Sequence, residues 1–204
     1  AHDGQDFDEY YDGHGSGETG WASIMGVGYY KNLTQWSKGE YAFANRTEND
    51  TAIIANKLGY RSDDHSDSRA TATPLNIVDD VVFDGGLIST GSDVDVFSFT
   101  TTGGTVSLNI DPFDRGPNLD ILAELYNNSG GMVTSSNPTS TLDASFSQFL
   151  GSGTYYLQIS GVGKGDPLET GYTDYGSLGQ YTISGSVPFE SYNYQPGDIV
   201  DFSR

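Results

Sequence analysis

His2, near the start of the chain, is of a type that binds zinc, whereas Met25 by its type alone is more often a core residue. His2 stands in the stretch His2-Asp3-Gly4, and Met25 follows about twenty residues later in WASIMG, residues 21–26. A catalytic Zn²⁺ normally takes three protein ligands and keeps one open position, often with neutral imidazoles as ligands. One imidazole cannot assemble such a site, so we expect no catalytic residue within this chain.

Five aspartates form a second set of candidate ligands. Asp63, Asp64 and Asp67 lie in the polar stretch RSDDHSDSRATATP, whereas Asp93 and Asp95 come just before an apolar run. Ca²⁺ takes roughly six to eight oxygen ligands, and carboxylates brought together without a cation repel one another. The sequence therefore predicts a calcium site where the two stretches meet, with solvated loop carboxylates as the alternative.

The composition excludes several classes of partner and site. There are 28 acidic residues against 9 basic ones, for a formal net charge of −19, which disfavours nucleic acid and anionic membrane surfaces as partners. The chain has no cysteine, so disulfides and thiolate metal sites are excluded. No apolar stretch approaches the roughly 18 residues that span a bilayer.

The elements that must position these residues change in character near residue 60. Before it, the sequence is irregular apart from one helical signal, in which Thr47 is the expected N-cap, apolar residues recur as far as Leu58, and Gly59 ends the helix. A linker follows over residues 61–78, and its polar stretch RSDDHSDSRATATP, residues 61–74, is expected to be a loop that crosses between the domains.

After residue 78 the pattern alternates with period two and is broken by Gly and Asn clusters. Seven or eight strands without an intervening helix predict a mainly β domain, an antiparallel β-sandwich of the jelly-roll kind. The predicted core positions are Phe97, Phe99, Val106, Leu108, Ile121, Leu157 and Ile183. Tyr155 and Tyr181 also fall on the apolar side, whereas Tyr172 and Tyr175 are expected to be accessible loop residues.

Together, His2-Asp3 and the later WASIMG stretch resemble metzincin zinc metallopeptidases, and the continuation GYYKNLTQWSKGEY, residues 28–41, is similar to the reprolysin-like members of secreting bacteria. This resemblance implies that His2 is the last zinc ligand of an H-E-x-x-H-x-x-G-x-x-H run and that Met25 lies in the Met-turn beneath the metal. The two other histidines and the glutamate general base would then precede Ala1. His14 is a further candidate ligand, although a histidine beside glycines is more often structural.

A second resemblance covers most of residues 63–188. The stretches GSDVDVFSF, GPNLD, GTYYL and GQYTI are similar to those of bacterial pre-peptidase C-terminal domains, which follow secreted peptidases. Related modules of collagenases bind collagen and Ca²⁺. The resemblance therefore implies that the aspartates above hold Ca²⁺ and that the sandwich binds collagen. This chain departs from the collagenase pattern by having Asp, His and Ser where that pattern uses Glu and Asn.

These observations give one leading hypothesis and two alternatives. Residues 1–60 are predicted to be the C-terminal, irregular and helical remnant of a metallopeptidase catalytic domain, 61–78 a linker, 79–188 the β-sandwich, and 189–204 a tail or linker. The parent protein would be a secreted, extracellular zinc endopeptidase acting on protein or peptide substrates, with this chain inactive alone. One alternative is a non-catalytic, calcium-stabilised module that binds collagen, another protein or polysaccharide. The other is a structural element that aids folding or secretion.

Overall fold

The computed structural model describes residues 2–189, so the predicted tail lies outside the described residues except for Phe189. Two regions are present in this range. Residues 2–60, here called the N-terminal segment, contain little regular structure. Residues 73–186 form two sheets that pack face to face. No helix in the described range is long and apolar enough to cross a membrane.

The N-terminal segment has two short strands and one helix. Strand β1 (Trp21–Ser23) pairs in parallel with β2 (Leu33–Gln35), and α1 spans Asp50–Leu58. The N-cap is Asn49 and not the predicted Thr47, because the Asn49 side chain accepts a hydrogen bond from the Ala52 amide at 3.0 Å. The predicted stop at Gly59 is confirmed, since Gly59 has φ 76° and its amide bonds the Ala55 carbonyl at 2.8 Å.

The predicted β-sandwich is confirmed as two five-stranded sheets. Its strands are β3 (Thr73–Pro74), β4 (Ile77–Val78), β5 (Val81–Ile88), β6 (Val94–Thr101), β7 (Gly104–Pro112), β8 (Ile121–Asn127), β9 (Met132–Ser136), β10 (Ala144–Leu150), β11 (Gly153–Gly161) and β12 (Gly179–Ser186). The first sheet has the order β10-β7-β12-β5-β4, and the second has the order β3-β6-β11-β8-β9. Every pairing is antiparallel except that of β3 with β6.

The chain crosses between the sheets at almost every connection, which is the strand order of a jelly roll with β3 and β4 added. The turn at Gly103-Gly104 illustrates this. A hairpin is the ordinary use of such a turn, but β6 and β7 lie in different sheets and do not pair. The two glycines, with φ 97° and 130°, instead carry the chain from one sheet to the other.

The predicted core is confirmed, because all seven predicted positions belong to one buried apolar cluster between the sheets. The register explains the packing in the second sheet, where Leu157 lies between Phe97 on β6 and Leu125 on β8. All three are fully buried. Tyr181 is also buried, and Tyr155 packs against the cluster from its edge, as their strand positions predicted.

Candidate functional site

Residues 63–75 of the linker, which we call the strap, lie along the edges of β5 in the first sheet and β6 in the second sheet. On the first sheet, the Asp64 carboxylate accepts a hydrogen bond from the Leu87 amide of β5 at 3.2 Å. On the second sheet, the Asp67 carboxylate accepts one from the Val94 amide at 3.0 Å, and the Ser66 carbonyl accepts one from Val96 at 3.0 Å. The strap thus satisfies backbone donors of both sheets.

Where the strap meets β6, three of the five predicted calcium ligands come together. Asp63, Asp93 and Asp95 each have a carboxylate oxygen within 4.8 Å of the other two, and within residues 2–189 they are the one group of this kind. Asp63 is exposed, whereas Asp93 and Asp95 keep only 6% and 0% of their surface accessible. Asp64 and Asp67 lie outside this group and bond the edges of the sheets instead.

The two buried carboxylates are each only half satisfied. Asp93 Oδ2 accepts a hydrogen bond from the Ser89 amide at 2.6 Å, and Asp95 Oδ2 accepts one from the Tyr181 hydroxyl at 2.5 Å. The Oδ1 atoms of both residues are buried without a hydrogen-bond partner. The pKa of Asp95 is raised to about 7, mainly by burial and in smaller part by the nearby carboxylates of Asp93 and Asp64, whereas the Tyr181 hydrogen bond lowers it.

Such a donor set fits a hard cation. Unpaired buried carboxylate oxygens are costly unless a positive charge lies among them, and Ca²⁺ prefers oxygen ligands of this kind. The neighbouring His65 is not available as a ligand. Its Nδ1 contacts the Thr73 hydroxyl at 3.0 Å, its Nε2 contacts the Gly85 carbonyl at 3.0 Å, and its ring packs on Phe97.

In the N-terminal segment, the two stretches of the predicted zinc motif are in contact. Residues 23–26 form a tight turn closed by the Gly26 amide on the Ser23 carbonyl at 3.0 Å. The Met25 carbonyl, in this turn, accepts a hydrogen bond from the Asp3 amide at 3.1 Å. The Met25 side chain is half-buried, and that of His2 is exposed.

His2 has one imidazole nitrogen directed to a carboxylate, since its Nδ1 lies 2.8 Å from Glu9 Oε1. Its Nε2 lies 3.3 Å from the Tyr10 hydroxyl, and the two rings stack. A carboxylate on Nδ1 fixes the tautomer in which Nε2 carries a lone pair, and here that lone pair accepts the hydrogen bond of the Tyr10 hydroxyl. A metal at Nε2 would have to displace the Tyr10 hydroxyl, and a catalytic zinc site needs three protein ligands, of which His2 could supply one.

Several residues of these sites carried no local signal in the sequence. Tyr181 was predicted as core, but its hydroxyl contact with Asp95 follows only from the packing of β12 against β6, which lie in different sheets. Tyr172 was expected to be accessible and is instead buried, with 3% of its surface exposed, because its hydroxyl donates to Asp120 Oδ2 at 2.7 Å. Tyr175 is half-buried and hydrogen-bonded to Asn49.

No model of a known protein family matches the sequence, and no curated protein sequence matches it. Solved structures with a similar fold include the pre-peptidase C-terminal domain of a collagenase from Bacillus anthracis, with 14% identity and a TM-score of 0.40 over 62% of this chain and 99% of that chain. PliG of Aeromonas hydrophila, a periplasmic inhibitor of g-type lysozyme, has 12% identity and a TM-score of 0.42 over 57% of this chain and 95% of that chain.

A third similar structure is the mitogen derived from Yersinia pseudotuberculosis, with 11% identity and a TM-score of 0.34 over 57% of this chain and 92% of that chain. At these identities and TM-scores, the likenesses carry no argument about what this chain does.

Proposed function

We propose that this chain is the C-terminal portion of a secreted, extracellular zinc endopeptidase of the metzincin type. In this proposal residues 1–60 are the end of the catalytic domain, and residues 79–188 are a calcium-stabilised sandwich of the pre-peptidase C-terminal kind. The supporting observation is the hydrogen bond between the Asp3 amide and the Met25 carbonyl, which joins two motifs about twenty residues apart in the sequence. His2, with Glu9 on its Nδ1, would supply one imidazole to Zn²⁺. The bound metal would activate water for hydrolysis of a peptide bond in a protein or peptide substrate.

The test is the precursor that contains this chain. Its gene should encode H-E-x-x-H with the first histidine roughly ten positions before His2. The purified precursor should hydrolyse casein in a chelator-sensitive manner, and His2→Ala should remove most of that activity. Asp12→Ala serves as the control, because Asp12 is exposed in the same segment and has no role in the proposed metal site. A precursor without the upstream motif rules the proposal out.

For the sandwich we propose a Ca²⁺ ion among Asp63, Asp93 and Asp95. The two buried oxygens without partners support this, because an ion there would offset the repulsion among the three carboxylates. The ion would join the strap to β6 and leave the fold otherwise unchanged. Ligand present at about one hundred times its Kd stabilises the folded state by about 2.7 kcal/mol.

Calorimetry in millimolar Ca²⁺ and in chelator tests this site. The melting temperature should rise with Ca²⁺ in the unmodified chain and stay constant when Asp93 and Asp95 are both replaced by Asn. The control pair is Asp114→Asn with Asp143→Asn, which removes the same charge at a groove that no residue of the strap lines. Equal melting temperatures of the unmodified chain in Ca²⁺ and in chelator exclude the site, and an equal rise with Mg²⁺ would indicate non-selective screening.

The alternative function, a non-catalytic binding module, is favoured by one feature of the second sheet. Tyr126 on β8 and Tyr156 on β11 are register partners. Both point outward, because Leu125 and Leu157 beside them point into the core. Arg69 lies 5.1 Å above the Tyr126 ring. Such a flat aromatic and cationic surface suits collagen, another protein or polysaccharide. Replacing both tyrosines by Ala should abolish retention on insoluble collagen or polysaccharide if this function is correct.

A further inference from the structure

The N-terminal segment and the sandwich share a small second core. It contains Tyr11, Trp21, Leu33 and Tyr41 from the segment, together with Leu142 and Tyr172 from the sandwich loops. Tyr11 and Tyr41 stack at 4.1 Å with their planes 7° apart. The segment has no larger apolar cluster among the described residues, and α1 buries none of its side chains. Its own packing is therefore completed by the sandwich.

Hydrogen bonds around the shared core also join the N-terminal segment to the sandwich. The Gln35 side chain donates to the Asn118 carbonyl at 2.6 Å, and His14 Nε2 lies 2.5 Å from the Gly171 carbonyl. Lys164 Nζ donates to the Thr19 hydroxyl at 2.6 Å. Most of the sandwich groups belong to the loop between β11 and β12, residues 162–178, which we call the platform loop.

The platform loop is itself fixed to the sandwich by the buried carboxylate of Asp120. Tyr172 donates to Asp120 Oδ2 at 2.7 Å, and the Ser177 hydroxyl accepts from the Asp120 amide at 2.8 Å. The Val162 amide bonds the Asp120 carbonyl at 2.9 Å. The loop is thus anchored by contacts within the sandwich that do not involve the segment.

The N-terminal segment depends on the sandwich for its packing more than the sandwich depends on the segment. The main core of the sandwich consists only of residues between Leu75 and Val187, so it is closed without the segment. In contrast, the segment relies on three-residue strands, and isolated two-stranded pairs are marginal in water. We propose that the platform loop is an intramolecular folding support, on which the N-terminal segment acquires its structure, and that the sandwich folds without the segment.

This support reaches His2 through a short series of contacts. The Tyr41 hydroxyl donates to the Gly4 carbonyl at 2.8 Å, and the Tyr11 amide donates to the Asp3 carbonyl at 2.8 Å. Both rings rest in the shared core beside Tyr172. The inference holds whether or not His2 binds zinc, because it concerns folding alone.

One glycine allows the support to be tested without removing a core side chain. Gly176 packs so closely on the segment that an added Cβ would lie 2.6 Å from Gln35 Cβ and 2.6 Å from the Trp36 carbonyl oxygen. Gly151, in the turn between β10 and β11, has nothing within 4 Å of an added Cβ. Neither glycine has a positive φ, so alanine fits the backbone at both positions. Gly151→Ala is therefore the matched control for Gly176→Ala.

Hydrogen exchange of the full chain is the measurement. Gly176→Ala should speed exchange of the Trp21, Ile24 and Leu33 amides by about fivefold or more, since forcing an extra methyl group into a packed contact typically costs at least that factor. The amides of β6 and β11 should keep their rates, and Gly151→Ala should change neither set. Both tryptophans, Trp21 and Trp36, lie in the segment, so fluorescence reports its unfolding separately.

Tyr172→Phe is the second variant, because it removes only the hydroxyl that anchors the platform loop to Asp120. It should change exchange in the same direction by a smaller factor. Unchanged exchange of the segment in both variants would show that the segment folds independently. An equal rise in the segment and in both sheets would show a single cooperative unit, and either result overturns the proposal.

Discussion

At the scale of single residues, the fold contains two buried aspartates that each accept a hydrogen bond from a tyrosine, and they differ in how completely they are satisfied. Asp120 has Tyr172 on Oδ2 and the Asn137 amide on Oδ1 at 3.1 Å. Asp95 has Tyr181 on Oδ2 and no partner on Oδ1. A buried carboxylate whose two oxygens both accept hydrogen bonds is satisfied by the protein alone and acts as a structural anchor. The one with a free oxygen beside other carboxylates suits a cation.

The pKa of Asp120 leads to a prediction about pH. Burial raises this pKa to about 6, although Tyr172, Asn137 and Lys164 lower it. The folded chain therefore binds a proton more tightly than the unfolded chain, whose Asp pKa is about 3.9. The contribution of Asp120 to stability is greatest below the unfolded pKa, falls as pH rises to about 6, and is constant above that.

Asp120→Asn should thus flatten the fall in unfolding free energy between about pH 4 and pH 6, because Asn does not titrate. Urea unfolding at several pH values in the presence of chelator measures it. The difference between the two pH profiles isolates Asp120 from the other buried acids. Parallel profiles for the two proteins would mean that the pKa of Asp120 is the same in the folded and the unfolded chain.

At the scale of elements, the strap covers edge positions of β5 and β6 that the neighbouring strands leave unpaired. The edges of β5 and β6 carry amides that would otherwise be free to pair with another chain. Asp64 and Asp67 bond these amides, and Leu75 then enters the main core. The polar composition of the linker thus reflects a defined position along two edges.

Asp67→Ala should lower the free energy of unfolding by about 1 kcal/mol, because the Val94 amide loses its carboxylate partner while remaining close to water. Asp12→Ala is the control, since Asp12 is exposed and the substitution changes the net charge equally. Urea denaturation of both variants in chelator measures the effect. If both variants match the unmodified chain, the strap contributes nothing through this bond.

The sequence predicted the inward faces of the strands well, because alternation along a strand is a local property that burial enforces. The seven predicted core residues and the stop at Gly59 are of this kind. It did not predict that Gly103-Gly104 joins two sheets or that Tyr172 is buried. Both depend on which distant elements become neighbours. The choice of Asn49 over Thr47 as N-cap likewise depends on where the chain turns into the helix.

The same limit applied to the candidate calcium site. Five aspartates in two stretches were expected to meet, and the fold brings three of them together. The other two differ only in their position along the strap, where they face β5 and Val94. The residue type predicted the kind of ligand for Ca²⁺. The position of the strap along the two sheets determined which of the five aspartates belong to the candidate site.

At the scale of the whole molecule, the acidic groups are spread over both regions. The net charge of −19 is large for 204 residues, and the candidate calcium site neutralises only a small part of it. Such a surface keeps anionic polymers away and favours neutral or cationic partners. A protein or peptide substrate meets this condition, as does collagen or neutral polysaccharide.

The isolated chain should show no hydrolysis of casein even with Zn²⁺ supplied. His2 is exposed and could offer a metal one nitrogen, Nε2, in place of the Tyr10 hydroxyl, because Nδ1 is engaged by Glu9. His14 cannot complete the site, since its Nδ1 contacts the Tyr11 hydroxyl at 2.6 Å, its Nε2 contacts Gly171, and burial lowers its pKa. His65 is held by Thr73 and Gly85 at the strap. All three histidines of the chain are thereby accounted for.

A zinc-bound water needs several fixed ligands to become a nucleophile near neutral pH and a general base to accept its proton. Neither condition is met by His2 with Glu9, because that carboxylate is already bonded to the imidazole. The assay should compare the purified chain with its His2→Ala variant, with and without chelator, and all four rates should equal the buffer blank. Chelator-sensitive turnover that disappears in the variant would mean that the chain assembles a working site from residues other than those argued above.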